Sequence, residues 1–205
     1  MCVKRLLAAL AMTVAVATLT ACGGNTTTDD GDMTGMSGMS HSAMANTGAG
    51  HNTADMTFAQ SMIPHHQQAV EMAKLATGRS GNPAVKQLAQ RIADAQQPEI
   101  TTMTGWLHAW GAPTPEPAMS DMPGMSHGGA GMMTAQEMSQ LSTATGTGFD
   151  RMFLEMMVRH HQGALDMANA EQSGGQYAEA TAAAKRINTT QTTEIAEMRA
   201  LLAAA

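Results

Sequence analysis

The chain has 205 residues, a formal net charge of −6 and only 3% aromatic residues, but 21 methionines and 8 histidines. An acidic chain that is poor in aromatic residues and has no basic patch is poorly suited to nucleic-acid binding, and its length fits one domain with a tether. Both cysteines lie in the first 22 residues. The rest of the chain therefore offers no thiolate or disulfide, and any soft-metal chemistry must use thioether and imidazole groups.

A lipoprotein signal peptide is predicted for residues 1–21. Two basic residues precede the apolar stretch Leu6–Leu19, which is too short to remain in the membrane as a spanning helix. The signal ends at Ala21, directly before Cys22, and cleavage there would leave Cys22 as a lipidated N-terminus; the alternative is a plain secretory signal cut near the same place. Either way we expect an exported protein, and lipid on Cys22 would be its only anchor to the cell membrane, holding it outside the cytoplasm.

Two segments of low complexity carry methionine and histidine where no core can bury them. The tether, residues 22–54, and the linker, residues 111–133, are rich in small and polar residues or in proline and are predicted to be disordered. Each contains Met-x-x-Met-Ser-His, formed by Met36, Met39 and His41 in the tether and by Met122, Met125 and His127 in the linker. Flexible thioethers with a nearby imidazole suit Cu(I), although compositional drift would also produce such a pattern.

Four long helices are predicted outside these segments, with a short helix before the third. Apolar residues at spacings of three and four, ended by glycine or proline, place the long helices at about 55–76, 83–110, 149–171 and 176–202. A capping box at Thr134–Glu137 predicts the short helix, which Gly146 and Gly148 should interrupt.

The most informative feature of the chain is an internal repeat at an offset of 95 residues. Two stretches recur without a gap, 55–73 as 150–168 and 91–103 as 186–198. The repeats span 55–110 and 134–205, and each supplies two long helices joined by a short loop. Residues 55–205 are therefore predicted to form an all-α domain, an antiparallel four-helix bundle built from two repeated hairpins with approximate two-fold symmetry.

Polar and thioether side chains recur at helix positions that should lie in or beside the bundle core. They are His65, His66, Gln96, Glu99, Met62 and Met103 in the first repeat, and His160, His161, Gln191, Glu194, Met157 and Met198 in the second. Each polar group left unpaired in a core costs about 1–3 kcal/mol, so their recurrence favours a metal site in a shared central layer. His65 and His160 are preferred as ligands because the residue after each lies one position off the core-facing row. The alternative is a self-satisfied polar network, with His65 donating to Glu99, that fixes the register of the helices.

The types of donor favour copper as Cu(I) over zinc or iron. Thioethers favour Cu(I), whereas zinc suits histidine and glutamate but gains little from methionine. A di-iron site in a bundle normally uses Glu-x-x-His motifs, and the position three before His65 is Met62. Zinc and iron are therefore less favoured, and no catalytic residue is predicted.

The motif Asp-x-x-Phe-x-x-x-Met-[Ile/Val]-x-His-His-Gln-x-Ala, followed by Gln-x-x-Glu-Ile, resembles the bacterial family called domain of unknown function 305 (DUF305). The resemblance covers about residues 55–202, with both repeats, and its most specific stretch is 149–164. It implies a ferritin-like four-helix bundle in an exported protein. Because some relatives are linked to copper binding or copper tolerance, it also implies a copper role.

Three hypotheses of function remain at this point. The favoured one is an extracytoplasmic lipoprotein that sequesters copper or delivers it to a copper-handling partner, using the central layer and the two Met-rich segments. The second is a redox-active metalloenzyme that uses the same layer, which would need an open coordination position and a substrate channel. The third is a structural or interaction bundle in which the histidines only set the register.

Overall fold

A computed structural model describes residues 50–115 and 131–204, and these residues form five α-helices and no strand. The helices are α1 (Thr53–Arg79), α2 (Pro83–Ala109), α3 (Ala135–Thr143), α4 (Gly146–Gly174) and α5 (Ala178–Ala203). The predicted all-α fold is confirmed, and the four long helices begin and end within three residues of their predicted bounds. Gly148 does not interrupt a helix as expected, because the chain already turns at Gly146, whose φ of 58° is in the left-handed region.

The described part of the chain includes short pieces of the predicted tether and linker. His51 stacks on Trp110, with ring centroids 4.5 Å apart, and Met133 is buried with 5% exposure. The fold therefore includes residues 50–54 and 131–133, which belong to the two segments that were predicted to be disordered. The predicted signal peptide, residues 22–49 and residues 116–130 lie outside the described residues. None of the described helices combines the length and the apolarity that a membrane span requires.

The two predicted hairpins are present and meet through their first helices. α1 packs along α2, α4 packs along α5, and α1 and α4 pack against each other, whereas α2 and α5 touch little. α3 lies against α1 and α4. Since α1 has a neighbour on each side, its buried residues must serve two different interfaces.

Two hydrophobic clusters fill the bundle, one on each side of its middle. The first combines the C-terminal half of α1 with the N-terminal half of α4, and the second combines the other two halves. Equivalent residues of the two repeats fall in opposite clusters, since Phe58 lies in the second and Phe153 in the first. This exchange is what an approximate two-fold axis between α1 and α4 requires. The level between the clusters is left to polar residues.

The N-terminus of α1 is held by a side chain that also reaches the opposite hairpin. The Asn52 side chain accepts hydrogen bonds from the N–H groups of Ala54 (2.8 Å) and Asp55 (3.2 Å), and its Nδ2 donates to the Gly174 carbonyl (2.8 Å). We expect Asn52→Ala to lower the free energy of unfolding by about 1–2 kcal/mol, measured by urea denaturation, because the cap and the cross-hairpin bond are both lost. Asn82→Ala is the matched control, since Asn82 caps α2 through one bond to Ala84. Equal losses in the two variants would contradict a role for the bond to Gly174.

Candidate metal site

Four histidines and two glutamines occupy the level between the two hydrophobic clusters. His65, His66, His160 and His161 are at most 2% exposed, and Gln96 and Gln191 are at most 3% exposed. Consecutive residues of an α-helix are separated by about 100° around its axis. The two neighbouring imidazoles of each repeat therefore point toward different helices.

The second histidine of each pair contacts a glutamate of its own hairpin. His66 Nε2 lies 2.9 Å from Glu99 Oε2, and His161 Nε2 lies 2.8 Å from Glu194 Oε2. The two glutamate side chains lie at the edge of the layer, with 30% and 12% exposure respectively. The alternative network predicted from the sequence paired Glu99 with His65, whereas in the structure His66 makes this contact. The physical reason is that α1 lies between α2 and α4, so the His66 ring turns to α2 and the His65 ring turns to α4.

The first histidines of the two repeats meet each other at the centre of the molecule. The ring centroids of His65 and His160 are 3.7 Å apart, with the ring planes at 36°. These two residues are equivalent in the repeat, so their contact lies on the approximate two-fold axis. Within each repeat the neighbouring imidazole is 6.5 Å or 6.4 Å away. The layer thus places four imidazoles in order between Glu99 and Glu194, with direct contact at the two ends and at the centre.

Several buried polar atoms of this layer have no hydrogen-bond partner among the described residues. They are Nδ1 of His66, Nδ1 of His161, both side-chain polar atoms of Gln96, and Oε1 of Gln191. Each such atom costs about 1–3 kcal/mol when it is buried unpaired. A bundle core that needed only to be stable would use leucine at these positions. A bound metal ion would satisfy the imidazole Nδ1 atoms and the glutamine oxygen atoms, but not the Gln96 amide nitrogen, which can only donate a hydrogen bond.

Methionine sulfur atoms flank the layer on both sides. Met62 and Met103 belong to the second hydrophobic cluster, and Met157 and Met198 belong to the first. All four are at most 2% exposed. Within residues 50–115 and 131–204, no three His, Cys, Asp or Glu side chains converge as a ready-made chelate. Thioether and amide groups are therefore the donors that could complete coordination around an imidazole.

Burial keeps the His160 and His161 imidazoles neutral. Desolvation, followed by the neighbouring His65, His161 and His66 rings, holds the pKa of His160 well below its ordinary value of 6.5. Desolvation also lowers the pKa of His161, although the contact with Glu194 opposes the shift. A neutral imidazole is the form that binds a metal, so these rings need release no proton on binding near neutral pH.

The predicted site residues thus fall into two groups. The twelve core positions lie in the layer, at its edge or directly beside it, and their role as metal ligands stays a prediction. Seven other predicted positions lie outside the described residues: Cys22, Met36, Met39, His41, Met122, Met125 and His127.

Two features of the structure were not expected from the sequence. Gln68 of α1 holds the backbone of Met133 at the end of the linker, and Glu171 lies buried beside Asp55 at one end of the bundle. The only signal for the second is that Glu171 takes the place of Ala76 in the repeat, on the core-facing row of the helix.

The geometry defines a helical bundle with a histidine layer across its middle and thioethers on either side. The sequence profile of the DUF305 family, described as a domain of unknown function, matches residues 55–202. The chain belongs to this family, which confirms the resemblance found in the sequence.

Solved structures of three relatives are similar to this one. A DUF305 protein of Streptomyces coelicolor, described as secreted, is 35% identical, with a TM-score of 0.66 over 73% of this chain and 92% of its own. A DUF305 fragment from Deinococcus radiodurans is 31% identical, with a TM-score of 0.67 over 75% of this chain and 98% of its own. CopM in its Cu(II)-bound form is 32% identical, with a TM-score of 0.62 over 72% of this chain and 95% of its own. CopM has also been solved with Cu(I), with silver and without metal.

A shorter likeness links the chain to a curated viral protein. The uncharacterized protein L153 of Acanthamoeba polyphaga mimivirus is 42% identical over 53 residues, which is 26% of this chain. The match spans about a third (35%) of that relative.

Proposed function

We propose that this protein binds copper outside the cytoplasm and sequesters it or hands it on, without catalysing a reaction of its own. The observation that carries the proposal is the buried layer, in which unpaired imidazole and amide atoms lie between four buried thioethers. Neutral imidazole and thioether together form a donor set that suits Cu(I) better than zinc or a hard cation. Thioethers also hold no proton, so part of the donor set is insensitive to pH.

The arrangement of the layer supports one half-site in each hairpin. In the first hairpin the donors are His66, Glu99, Met62 and Met103, and the second hairpin repeats them at the offset of the internal repeat. His65 and His160 lie between the half-sites and can serve either one. The likeness to CopM, which has been solved with Cu(I), Cu(II) and silver bound, supports copper as the metal.

The proposal assigns separate tasks to the other predicted segments. Lipid on Cys22 would hold the protein at the cell membrane. The description of the Streptomyces relative as secreted supports the export on which this anchor depends. The Met-x-x-Met-Ser-His sequences would collect loosely bound Cu(I) and raise its concentration near the bundle.

The specific observation that favours a second function is the pair of contacts of His66 with Glu99 and of His161 with Glu194. Such contacts would also be made by a polar network that only fixes the register of the helices. The two functions predict different results for metal binding and for stability. A metal site requires tight copper binding, whereas a register-setting network requires only that its loss disturbs folding.

Titration of Cu(I) into the full chain, against a competing chelator, tests the proposal. We expect tight binding to persist when the methionines of both Met-x-x-Met-Ser-His sequences are replaced by leucine and their histidines by alanine. We expect the affinity to fall by at least about 100-fold in His65→Ala/His160→Ala, because the shared donors are removed. His108→Ala is the control, since His108 is an exposed histidine of α2. If tight binding is lost only when the Met-rich segments are changed, those segments and not the buried layer bind the metal. Absence of tight binding in the full chain would overturn the proposal.

A further inference from the structure

The last described piece of the linker crosses the groove between α1 and α4. Residues 131–133, called the strap here, contact α4 at one end and α1 at the other. Gln68 of α1 holds Met133 by two hydrogen bonds, since its Nε2 donates to the Met133 carbonyl (2.9 Å) and its Oε1 accepts from the Met133 N–H (2.7 Å). The strap therefore bridges the two helices that carry the four histidines.

The strap lies at the helix positions that carry the central pair of imidazoles. Gln68 is three residues after His65, so the two side chains lie on the same face of α1. At the other end, a Cβ atom on Gly131 would be 2.4 Å from the Arg159 carbonyl oxygen and 3.1 Å from the His160 carbonyl oxygen. The strap thus contacts the backbone of one central histidine and is tied one turn away from the other.

Only glycine fits where the strap contacts α4. A contact of 2.4 Å between a Cβ and a backbone oxygen cannot be relieved by a side-chain rotation, because the oxygen belongs to a helix. The φ of Gly131 is also 79°, which disfavours other residues. Any larger side chain at this position must lift the strap away from the groove.

The strap is held by side chains rather than by a helix or a sheet. The Arg159 guanidinium is a second anchor, since it lies 3.2 Å from the Met133 sulfur. The same guanidinium donates to the Glu137 carboxylate at the start of α3, at 2.6 Å. Gln68 is only half-buried, and Arg159 is exposed. Met133 is also buried in the first hydrophobic cluster, so detachment of the strap requires this side chain to leave the cluster, while the helices beneath it keep their own hydrogen bonds.

We propose that the strap closes the α1–α4 groove over His65 and His160 and sets how fast a metal ion enters and leaves the central layer. The inference rests on the proposed copper-binding function, which it extends from the site to the route of access. In this scheme the strap covers the groove equally with and without metal, so its release changes both rates together and leaves the equilibrium affinity nearly unchanged. Gln68 and Gly131 are positioning residues in this scheme, not ligands.

The test measures the rate at which an excess of a Cu(I) chelator removes Cu(I) from the full chain. We expect Gln68→Ala and Gly131→Ala each to speed removal by at least about tenfold, while the equilibrium affinity stays within about threefold. Gln140→Ala is the matched control, because Gln140 is an exposed glutamine of α3 whose side chain makes no hydrogen bond within the described part of the chain. Circular dichroism shows whether each variant keeps its helices, and the milder Gln68→Ala serves where Gly131→Ala does not fold.

The outcomes separate this inference from the function on which it rests. If the unmodified chain does not bind Cu(I) tightly, the proposed function fails first. If the unmodified chain binds but both variants release the metal at its rate, the strap does not control access. A loss of affinity as large as the gain in rate would also overturn the inference, because the strap would then be part of the binding site itself.

Discussion

Replacement of His66, Glu99, His161 and Glu194 together by leucine is expected to remove tight copper binding and yet stabilise the metal-free protein. The four side chains form two buried or half-buried polar pairs, at 2.9 Å and 2.8 Å. When apolar residues of similar volume replace both partners of a buried polar pair, stability is often unchanged or rises by about 1–4 kcal/mol. Unpaired atoms such as His66 Nδ1 disappear in the same step. We therefore expect the free energy of unfolding to rise by roughly 1–4 kcal/mol, while the affinity for Cu(I) falls at least about 100-fold.

Urea denaturation of the metal-free chain and chelator competition check the two halves of this result. The matched control is Arg91→Leu/Glu197→Leu, which removes an exposed ion pair between α2 and α5 with a distance of 2.5 Å and should change neither quantity much. Retention of tight binding in the fourfold variant would exclude the proposed half-sites. Loss of a cooperative unfolding transition would instead favour the network that fixes the register, because a metal site is not needed for the bundle to fold.

Glu171 is expected to make the protein less stable as the pH rises from about 5 to 8. Its carboxyl group is buried at 1% exposure beside Asp55. Burial, followed by the Asp55 side chain, raises the pKa of Glu171 from its ordinary value of 4.5 to about 8. For Asp55, burial acts in the same direction, but hydrogen bonds from the N–H groups of Asn52, Tyr177 and Gln176 outweigh it, and the pKa of Asp55 is lowered. Asp55 therefore stays ionised across this range and Glu171 holds the proton.

The sign of the effect follows from the two states of Glu171. Below pH 4.5 both the folded and the unfolded chain carry the proton, so the stability is fully present. Between pH 4.5 and about 8 the unfolded chain releases the proton and the folded chain keeps it, so the free energy of unfolding falls as the pH rises. Each unit of pKa difference corresponds to about 1.4 kcal/mol, and with some solvent screening we expect a fall on the order of 3 kcal/mol.

The substitution Glu171→Gln isolates this effect. Glutamine has nearly the same shape as glutamic acid and is neutral at every pH. The substitution should therefore abolish the fall in the free energy of unfolding between pH 5 and 8 and leave other pH effects in place. His160 and His161, whose pKa values are lowered, cost stability below about pH 6.5 in both proteins, and their contribution cancels in the difference curve. Urea denaturation at pH 5, 6, 7 and 8 measures this curve, with exposed Glu179→Gln as the control. A difference that does not change with pH would contradict the raised pKa of Glu171.

The fold could be predicted because its signals are local. The rows of apolar residues at helical spacing, the glycine and proline turns, and the Thr134–Glu137 capping box each act within a few residues. The structure contains that capping box and all four long helices. The internal repeat then made a symmetric pair of hairpins predictable without any knowledge of long-range contacts.

The site could be predicted in its composition but not in its pairings. The repeat and the helical rows were enough to select His65, Gln96 and Met62 as interior residues, and all three are buried. Which histidine meets Glu99 could not be read from α1 and α2 alone. That choice depends on α4, which packs on the other side of α1, where the His65 ring contacts His160 of α4.

The sequence by itself determined the helices, the two-fold repeat and the kinds of donor atom that lie in the middle of the bundle, because helical periodicity and residue chemistry are properties of neighbouring residues. Only the tertiary structure decided that His65 meets His160, that Glu171 lies beside Asp55, and that the strap reaches Gln68. Each of these contacts joins residues more than 60 positions apart. Their geometry depends on how α1 and α4 rotate and slide against each other when they pack, and no local pattern records that.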